Sequence, residues 1–155
     1  MDYYNRLDPE ELAQIPFFYD IEECDLKALS EIIRVRNVMK NKYIFKEGDS
    51  SSEMYIILEG TVNILKTNKK ENEELLAQIK SPQVFGEIAL ISRGRRSASA
   101  YAVTDLILAE LSCYKFEQLI EINPRAAVNV VKKIASTLSS RLRQINSAYV
   151  DIVHP

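Results

Sequence analysis

The sequence predicts an α+β fold in which an antiparallel, jelly-roll-like β-roll of about eight short strands is flanked by N-terminal helices and a long C-terminal helix. Three observations support this prediction. Apolar residues recur at helical spacing near both ends of the chain, whereas the middle contains short β-rich runs. The four glycines, at positions 48, 60, 86 and 94, fall at the turns that such strands require. After Pro124, neither Gly nor Pro occurs again until Pro155, which predicts one long helix.

The N-terminal part predicts two helices and a buried aromatic pair. Residues 9–15 form a short helix that Pro16 ends, and Phe17 and Phe18 follow it as core residues. A second helix begins at Asp25, where apolar residues recur at helical spacing. Its apolar positions are Leu26, Leu29, Ile32 and Ile33.

The strands of the β-roll are predicted from runs of β-branched and aromatic residues that lie between polar or Gly-containing turns. Glu59-Gly60 is a hairpin signal, and the polar segment 67–74 is predicted to be an exposed hairpin tip without a function of its own. The predicted strands comprise residues 42–49 with a terminal Gly turn, 54–58, 61–66, 75–79, 83–85, 99–103 and 106–111.

Two further helices are predicted at the C-terminal end. Residues 114–122 form the first of them, with Ser112 as its N-cap. Asn123 and Pro124 then supply the N-cap and the first helical residue of the final helix. The apolar face of the first helix comprises Phe116, Leu119 and Ile120.

An apolar stripe runs along the final helix, and its members are separated by alternating gaps of three and four residues. This heptad spacing is typical of helices that pair with another helix, so we predict a homodimer through the C-terminal helix. Packing of the stripe against the chain's own domain is the alternative, and it is more plausible for residues 128–135 than for residues 142–152. The stripe consists of Val128, Val131, Ala135, Leu138, Leu142, Ile145, Tyr149 and Ile152.

The composition limits the classes of protein. With 155 residues and 46% hydrophobic content, the chain fits one globular domain. Its formal net charge is −2, so no overall basic field indicates a nucleic-acid partner. Residues 1–31 carry nine acidic and two basic side chains, whereas residues 123–155 carry five basic and one acidic side chain. The two ends could therefore contact each other, although solvated faces would give the same pattern.

No apolar run approaches the ~18 residues needed to span a bilayer, and the N-terminus lacks a signal-peptide pattern, so we predict a cytoplasmic protein. Cys24 and Cys113 are far apart in the chain and are predicted to be packing or surface thiols. His154 is the only histidine. A His-rich metal site or a Ser/His or Cys/His catalytic pair cannot be assembled, so we predict no metal, no cofactor and no enzymatic activity.

The segment from residue 84 to residue 103 has the features of an anion-binding site. Gly86 lacks the Cβ that would block close approach of a ligand, and a helical turn starting there would present unpaired N–H groups. Arg96 supplies a planar fork that matches phosphate oxygens. Ser97 and Ala98 add backbone N–H groups with little side chain in the way.

This segment resembles the phosphate-binding cassette of the cyclic nucleotide-binding domain family, whose pattern is Phe-Gly-Glu-(Leu/Ile)-Ala-Leu, a spacer, and Pro-Arg-(Ala/Ser)-Ala-(Thr/Ser). Residues 85–90 match the first half, and residues 96–99 match the second half. Arg95 departs from the pattern because the family usually has Pro there. The block of residues 48–64 is also similar to the family, and the resemblance covers roughly residues 15–140.

The resemblance implies a sensor that binds a purine 3′,5′-cyclic monophosphate, cAMP or cGMP, and couples it to movement of the C-terminal helix. It implies that Glu87 accepts a hydrogen bond from the ribose 2′-hydroxyl and that Arg96 holds the cyclic phosphate. The base could be contacted by Ser97, or by Arg141 or Arg143 on the C-terminal helix. The implied ligand-binding residues are Gly86, Glu87, Ile88, Ala89, Arg96, Ser97 and Ala98.

We therefore predict two regions: residues 1–122 as the cyclic nucleotide-binding β-roll with its N-terminal helices, and residues 123–155 as a lid and dimerisation helix. The chain is similar to the ligand-binding half of catabolite-activator-type regulators but ends before their DNA-binding helix-turn-helix, so we expect no DNA binding. Two alternatives stay open. The chain could be the sensor half of such a regulator, or a ligand-free dimerisation scaffold in which Glu87 and Arg96 only pair with each other.

Overall fold

The computed structural model describes residues 6–153. The first residues considered for a signal segment and His154 lie outside this part. The chain starts with α1 (Pro9–Ala13), a 3₁₀ turn (Pro16–Phe18) and α2 (Glu23–Ile32). α1 begins with a capping box, in which Asp8 and Glu11 each accept a hydrogen bond from the other's backbone N–H at 2.8 Å. Phe17 and Phe18 are buried, as predicted.

Residues 6–153 contain eight strands, so the predicted antiparallel β-roll is confirmed. They form two four-stranded antiparallel sheets, with the orders β1-β8-β3-β6 and β2-β7-β4-β5. β1 was not predicted, because it follows α2 without a Gly or Pro and carries two arginines. The strands are β1 (Arg34–Val38), β2 (Tyr43–Phe45), β3 (Glu53–Glu59), β4 (Thr61–Thr67), β5 (Glu73–Lys80), β6 (Val84–Phe85), β7 (Ser99–Ala102) and β8 (Leu106–Ser112).

β3 separates the two parts of the hydrophobic core. Its side chains alternate between the two faces of the sheet, as strand geometry requires. Met54 and Ile56 pack with the helices, whereas Tyr55 and Ile57 point into the roll between the two sheets. The helices therefore cover the outer face of the sheet that contains β3.

The helical turn α3 (Ile88–Ile91) lies between β6 and β7, and α4 (Cys113–Ile122) and α5 (Pro124–Val153) follow β8. Ser112 caps α4 by accepting a hydrogen bond from the Lys115 N–H at 3.2 Å, as predicted. Ile120 was wrongly placed on the packing face of α4. Phe116 and Leu119 are buried, but Ile120 is exposed because the partners of α4 cover a narrower face.

α5 packs on the domain mainly through a face that differs from the predicted apolar stripe, although Leu138 of the stripe is partly buried against the core. Its buried residues are Ala126, Ala127, Val130 and Ile134. Val128 and Val131 are 50% and 40% exposed, and the stripe residues Leu142 and Ile145 are exposed as well. The alternative that residues 128–135 of the stripe pack against the chain's own domain is therefore wrong.

The contact considered between the acidic and basic ends is present. Asp25 on α2 is buried and forms an ion pair with Arg125 on α5 at 3.0 Å. Asn123 and Asn129 donate further hydrogen bonds to the Asp25 carboxylate at 3.1 and 3.2 Å. Arg125 also pairs with Glu22 at 2.9 Å. The start of α5 is thus fixed to the N-terminal helices.

Candidate functional site

The first half of the candidate site is the turn from β6 into α3. Gly86 follows β6 with φ +69°, a left-handed conformation that favours glycine. A Cβ at this position would lie 2.8 Å from Nη1 of Arg96 and 3.1 Å from the Glu53 carbonyl oxygen. Gly86 is thus needed both for the backbone conformation and for the approach of Arg96, and the single-turn helix expected there is present as α3.

The second half is the turn before β7, which is joined to the loop between β2 and β3. The Arg96 N–H donates to the Asp49 carbonyl and the Gly48 N–H donates to the Arg96 carbonyl, both at 2.8 Å. Nearby, the Glu47 N–H donates to Oγ of Ser99 at 2.9 Å. These bonds fix the backbone on both sides of Arg96.

A pocket of about 290 Å³ lies between the two halves. All seven residues that the sequence implied for ligand binding line it. Phe45, Ile64 and Arg141 line it as well, and these come from β2, β4 and α5. The structure thus brings together residues from five separate parts of the chain around one cavity.

Arg96 is the buried cation of the pocket, with only 6% of its surface exposed. Its Nη2 donates to the Glu53 carbonyl at 2.8 Å, and its guanidinium carbon lies 4.0 Å from the centre of the Phe45 ring. Burial lowers the pKa of the Arg96 guanidinium. Nε of Arg96 is buried and has no hydrogen-bond partner within residues 6–153. The charge is therefore incompletely compensated, as in a site that accepts an anion.

Backbone donors around the pocket are also free. Within the described part of the chain, the N–H groups of Ile88, Ser97 and Ala98 have no hydrogen-bond partner. Ile88 begins α3, and the other two follow Arg96. Unpaired donors next to a buried cation form a surface that suits a phosphate.

Glu87 is the buried acid of the pocket and pairs with α5. It is 3% exposed, and its Oε1 accepts a hydrogen bond from Nη1 of Arg141 at 2.5 Å. Nη2 of Arg141 donates to the Val84 carbonyl. The other carboxylate oxygen, Oε2, has no partner among the hydrogen bonds of residues 6–153. The alternative of a Glu87–Arg96 ion pair is wrong, because Arg96 pairs with Glu53 instead.

Arg93 and Arg95 also line the pocket, but their side chains form contacts outside it. Arg95 is exposed and donates to the Gly48 carbonyl at 2.8 Å, and Arg93 pairs with Glu117. Of the two arginines considered for base contact, Arg141 lines the pocket, whereas Arg143 is exposed and donates to Oγ of Ser139. Arg143 lies two residues further along the helix and therefore projects from a different face.

A cluster behind the Arg96 turn was not anticipated from the sequence. Nζ of Lys66 on β4 donates to the Ser97 carbonyl at 2.7 Å and also forms an ion pair with Glu47. The Thr67 N–H donates to Oε2 of Glu47 at 2.9 Å. The Lys66 ammonium and the Thr67 N–H together lower the pKa of Glu47 to about 2.

A family model described as "Cyclic nucleotide-binding domain" matches residues 35–123, which is more than half of the chain. The chain belongs to the cyclic nucleotide-binding domain family. This match includes both halves of the pocket, from Gly86 to Ala98, and ends where α5 begins.

The relatives of this cyclic nucleotide-binding domain include a cyclic AMP receptor protein and a cAMP-activated transcriptional regulator. The cyclic AMP receptor protein of Thermus thermophilus is 37% identical over 131 residues, which are 83% of this chain and 58% of that relative. The cAMP-activated global transcriptional regulator of Pasteurella multocida is 31% identical over 107 residues, 68% of this chain and 51% of that relative. The chain thus spans about half the length of these relatives.

The fold is shared with solved structures of such domains. A cyclic nucleotide-binding domain from Methylobacillus flagellatus superposes with a TM-score of 0.78 at 24% identity, covering 88% of this chain and 77% of that chain. Residues 6–153 contain no helix with the length and hydropathy of a membrane span. The same residues contain no group of three or more His, Cys, Asp or Glu side chains arranged to hold a metal ion.

Proposed function

We propose that this domain binds a purine 3′,5′-cyclic monophosphate, cAMP or cGMP, and acts as a sensor that does not chemically change its ligand. The observation that carries the proposal is that three neighbouring residues lining one pocket have unpaired donors within residues 6–153: the buried Nε of Arg96 and the N–H groups of Ser97 and Ala98. A cyclic phosphate has one negative charge and two exocyclic oxygens. It therefore suits one guanidinium group and a pair of backbone donors.

The other pocket residues can be assigned to the rest of the ligand. Oε2 of Glu87 has no hydrogen-bond partner within residues 6–153, which makes it available to a ribose 2′-hydroxyl. Gly86, Ile88 and Ala89 provide the backbone beside the sugar, and Ile64 and Arg141 line the pocket where a base can extend. The volume of about 290 Å³ lies at the lower end of small-molecule sites, so it favours a mononucleotide over a dinucleotide.

We further propose that ligand binding is coupled to α5. Arg141 pairs with Oε1 of Glu87, so a ribose hydroxyl on Oε2 would share this carboxylate with α5. A ligand that also contacts Arg141 in the pocket binds the arrangement with α5 in place more tightly than one with α5 displaced, and this difference in affinity shifts the population. Residues 1–122 would then form the ligand-binding part, and residues 123–155 the lid.

The exposed stripe on α5 supports the proposal of a homodimer through this helix. Leu142, Ile145, Tyr149 and Ile152 are each between 58% and 77% exposed, in a row at heptad spacing. A second copy of the same helix would bury them. The interface would be isologous, as in most homodimers.

Calorimetric titration with cAMP, cGMP and a cyclic dinucleotide tests the proposed ligand. We expect saturable binding of one or both mononucleotides, and a loss of affinity of about thirtyfold or more in the folded Arg96→Ala variant. A folded wild-type protein that binds none of the three compounds would refute the proposal and favour a ligand-free dimerisation scaffold. Production of 5′-AMP or 5′-GMP during the titration would refute the sensor assignment in favour of an enzyme.

A further inference from the structure

Lys66 contacts the turn that carries the proposed phosphate donors, although it does not line the pocket. It lies near the end of β4 and is partly exposed. Its ammonium group donates to the Ser97 carbonyl at 2.7 Å and pairs with Glu47. Lys66 therefore joins the β4–β5 hairpin to the turn after Arg96.

Glu47 keeps the Lys66 ammonium in place. Its Oε2 accepts a hydrogen bond from the Thr67 N–H at 2.9 Å, and its own N–H donates to Oγ of Ser99 at 2.9 Å. Glu47 is thus attached to the hairpin through its carboxylate and to the start of β7 through its backbone N–H. A lysine fixed by such a partner can restrain a backbone carbonyl, whereas a freely rotating lysine cannot.

The restrained carbonyl belongs to the peptide group that also contains the Ala98 N–H. In a planar trans peptide, the C=O and N–H bonds point in opposite directions. Because the Ser97 carbonyl points to Lys66, the Ala98 N–H points away from it. Ala98 lines the pocket, and its N–H has no hydrogen-bond partner within residues 6–153.

We propose that Lys66 is a positioning residue for the ligand phosphate. It holds the Ser97 carbonyl and thereby directs the Ala98 N–H toward one exocyclic phosphate oxygen. Lys66 itself acts through this peptide group and does not need to touch the ligand. The inference rests on the proposed function, since it assumes that a cyclic phosphate occupies the pocket.

The first part of the test uses the ligand-free protein. The ¹H–¹⁵N resonance of Ala98 is compared in the wild type and in Lys66→Met, Lys66→Arg and Lys69→Met. Lys69 is an exposed lysine in the tip of the same hairpin, so its replacement removes the same charge without touching Ser97. We expect Lys66→Met to shift the Ala98 resonance, and the other two variants to match the wild type. An unchanged Ala98 signal in Lys66→Met would overturn the inference.

The second part of the test uses the cyclic nucleotide, cAMP or cGMP, that the wild type binds more tightly. Affinities are measured for this parent nucleotide and for its Rp and Sp phosphorothioate analogues. Lys66→Met should weaken binding of the parent nucleotide by ~10-fold, the effect of about one charge-assisted hydrogen bond. It should also reduce the difference in affinity between the Rp and Sp analogues, because sulfur replaces a different exocyclic oxygen in each. Lys66→Arg should restore both values.

The outcomes separate this inference from the proposed function. If the wild type binds a cyclic nucleotide but Lys66→Met keeps the wild-type affinity and Rp/Sp ratio, Lys66 does not position the phosphate. Equal losses in Lys66→Met and Lys69→Met would mean that net charge alone is responsible, which also overturns the inference. If the wild type binds no cyclic nucleotide, the proposed function fails and the inference fails with it.

Discussion

Replacement of Arg96 by Ala is the most direct test of the candidate site. Arg96 is buried, stacks on Phe45 and has an unpaired Nε, so a phosphate bound there would receive a desolvated charge-assisted hydrogen bond. Removing one partner of such a pair costs ~2–5 kcal/mol, which is a loss of about thirtyfold to several thousandfold in affinity. Arg96→Lys should lose most of the affinity as well, since an ammonium group cannot reproduce the planar fork.

The assay is calorimetric titration of each variant with the preferred cyclic nucleotide, with circular dichroism to confirm folding. Folding needs this check because Arg96 also donates to the Glu53 carbonyl, and its loss leaves a partly buried acceptor unpaired. Arg95→Ala is the matched control, since it removes the neighbouring charge from an exposed position. A folded Arg96→Ala variant that binds like the wild type would refute the assignment of Arg96 to the phosphate.

Three further predictions follow from the same geometry. Arg95→Pro should keep the affinity for the cyclic nucleotide within a few fold, because the Arg95 side chain is exposed and forms one hydrogen bond to a backbone carbonyl. A loss of affinity as large as that of Arg96→Ala would mean that the wrong arginine has been assigned to the phosphate. Replacing Leu142 and Ile145 together by Glu should give a folded monomer in sedimentation, whereas wild-type sedimentation as a monomer at micromolar concentrations would exclude the dimer. The pKa of Glu47 is lowered to about 2 from 4.5, so its interactions stabilise the fold above about pH 4.5 and are lost as the pH falls toward 2. Glu47→Gln should therefore flatten the pH dependence of the unfolding free energy in that window, and an unchanged acid titration would contradict the Lys66–Glu47 pair.

Much of the candidate site could be predicted because its residues lie in one short segment of the sequence, from Gly86 to Ala98. Gly86 and Arg96 are ten positions apart, and each has a property that only one residue type supplies: a left-handed backbone conformation without a Cβ, or a planar cation. The turn structure of the roll could be predicted for a similar reason. Gly48 and Gly60 also have positive φ values, so these positions are constrained by local backbone geometry.

The missed features depend on tertiary contacts. β1 (Arg-Val-Arg-Asn-Val) contains three polar residues out of five, which is a weak strand signal, and it forms a strand by pairing with β8. Lys66 is one of several lysines near a polar hairpin, and only the packing of β4 beside β7 brings it to Ser97. Ile120 follows the helical period of its neighbours, but its exposure depends on how far the surrounding elements extend.

The position of Arg141 could be predicted only in part from the sequence. Its contact with Glu87 bears on the proposed coupling between ligand binding and α5. Arg141 lies seven residues, or two helical turns, after the buried Ile134, so helical periodicity places it on the side of α5 that faces the domain. Its contact with Glu87, which is 54 positions earlier in the sequence, depends on the tertiary fold. A ribose hydroxyl can add a hydrogen bond to Glu87 but brings no positive charge. Displacing Arg141 would leave a buried carboxylate without its cation, at a cost of about 3 kcal/mol. The ligand is therefore expected to bind with Arg141 in place, and its own contact with Arg141 would favour the arrangement with α5 in place.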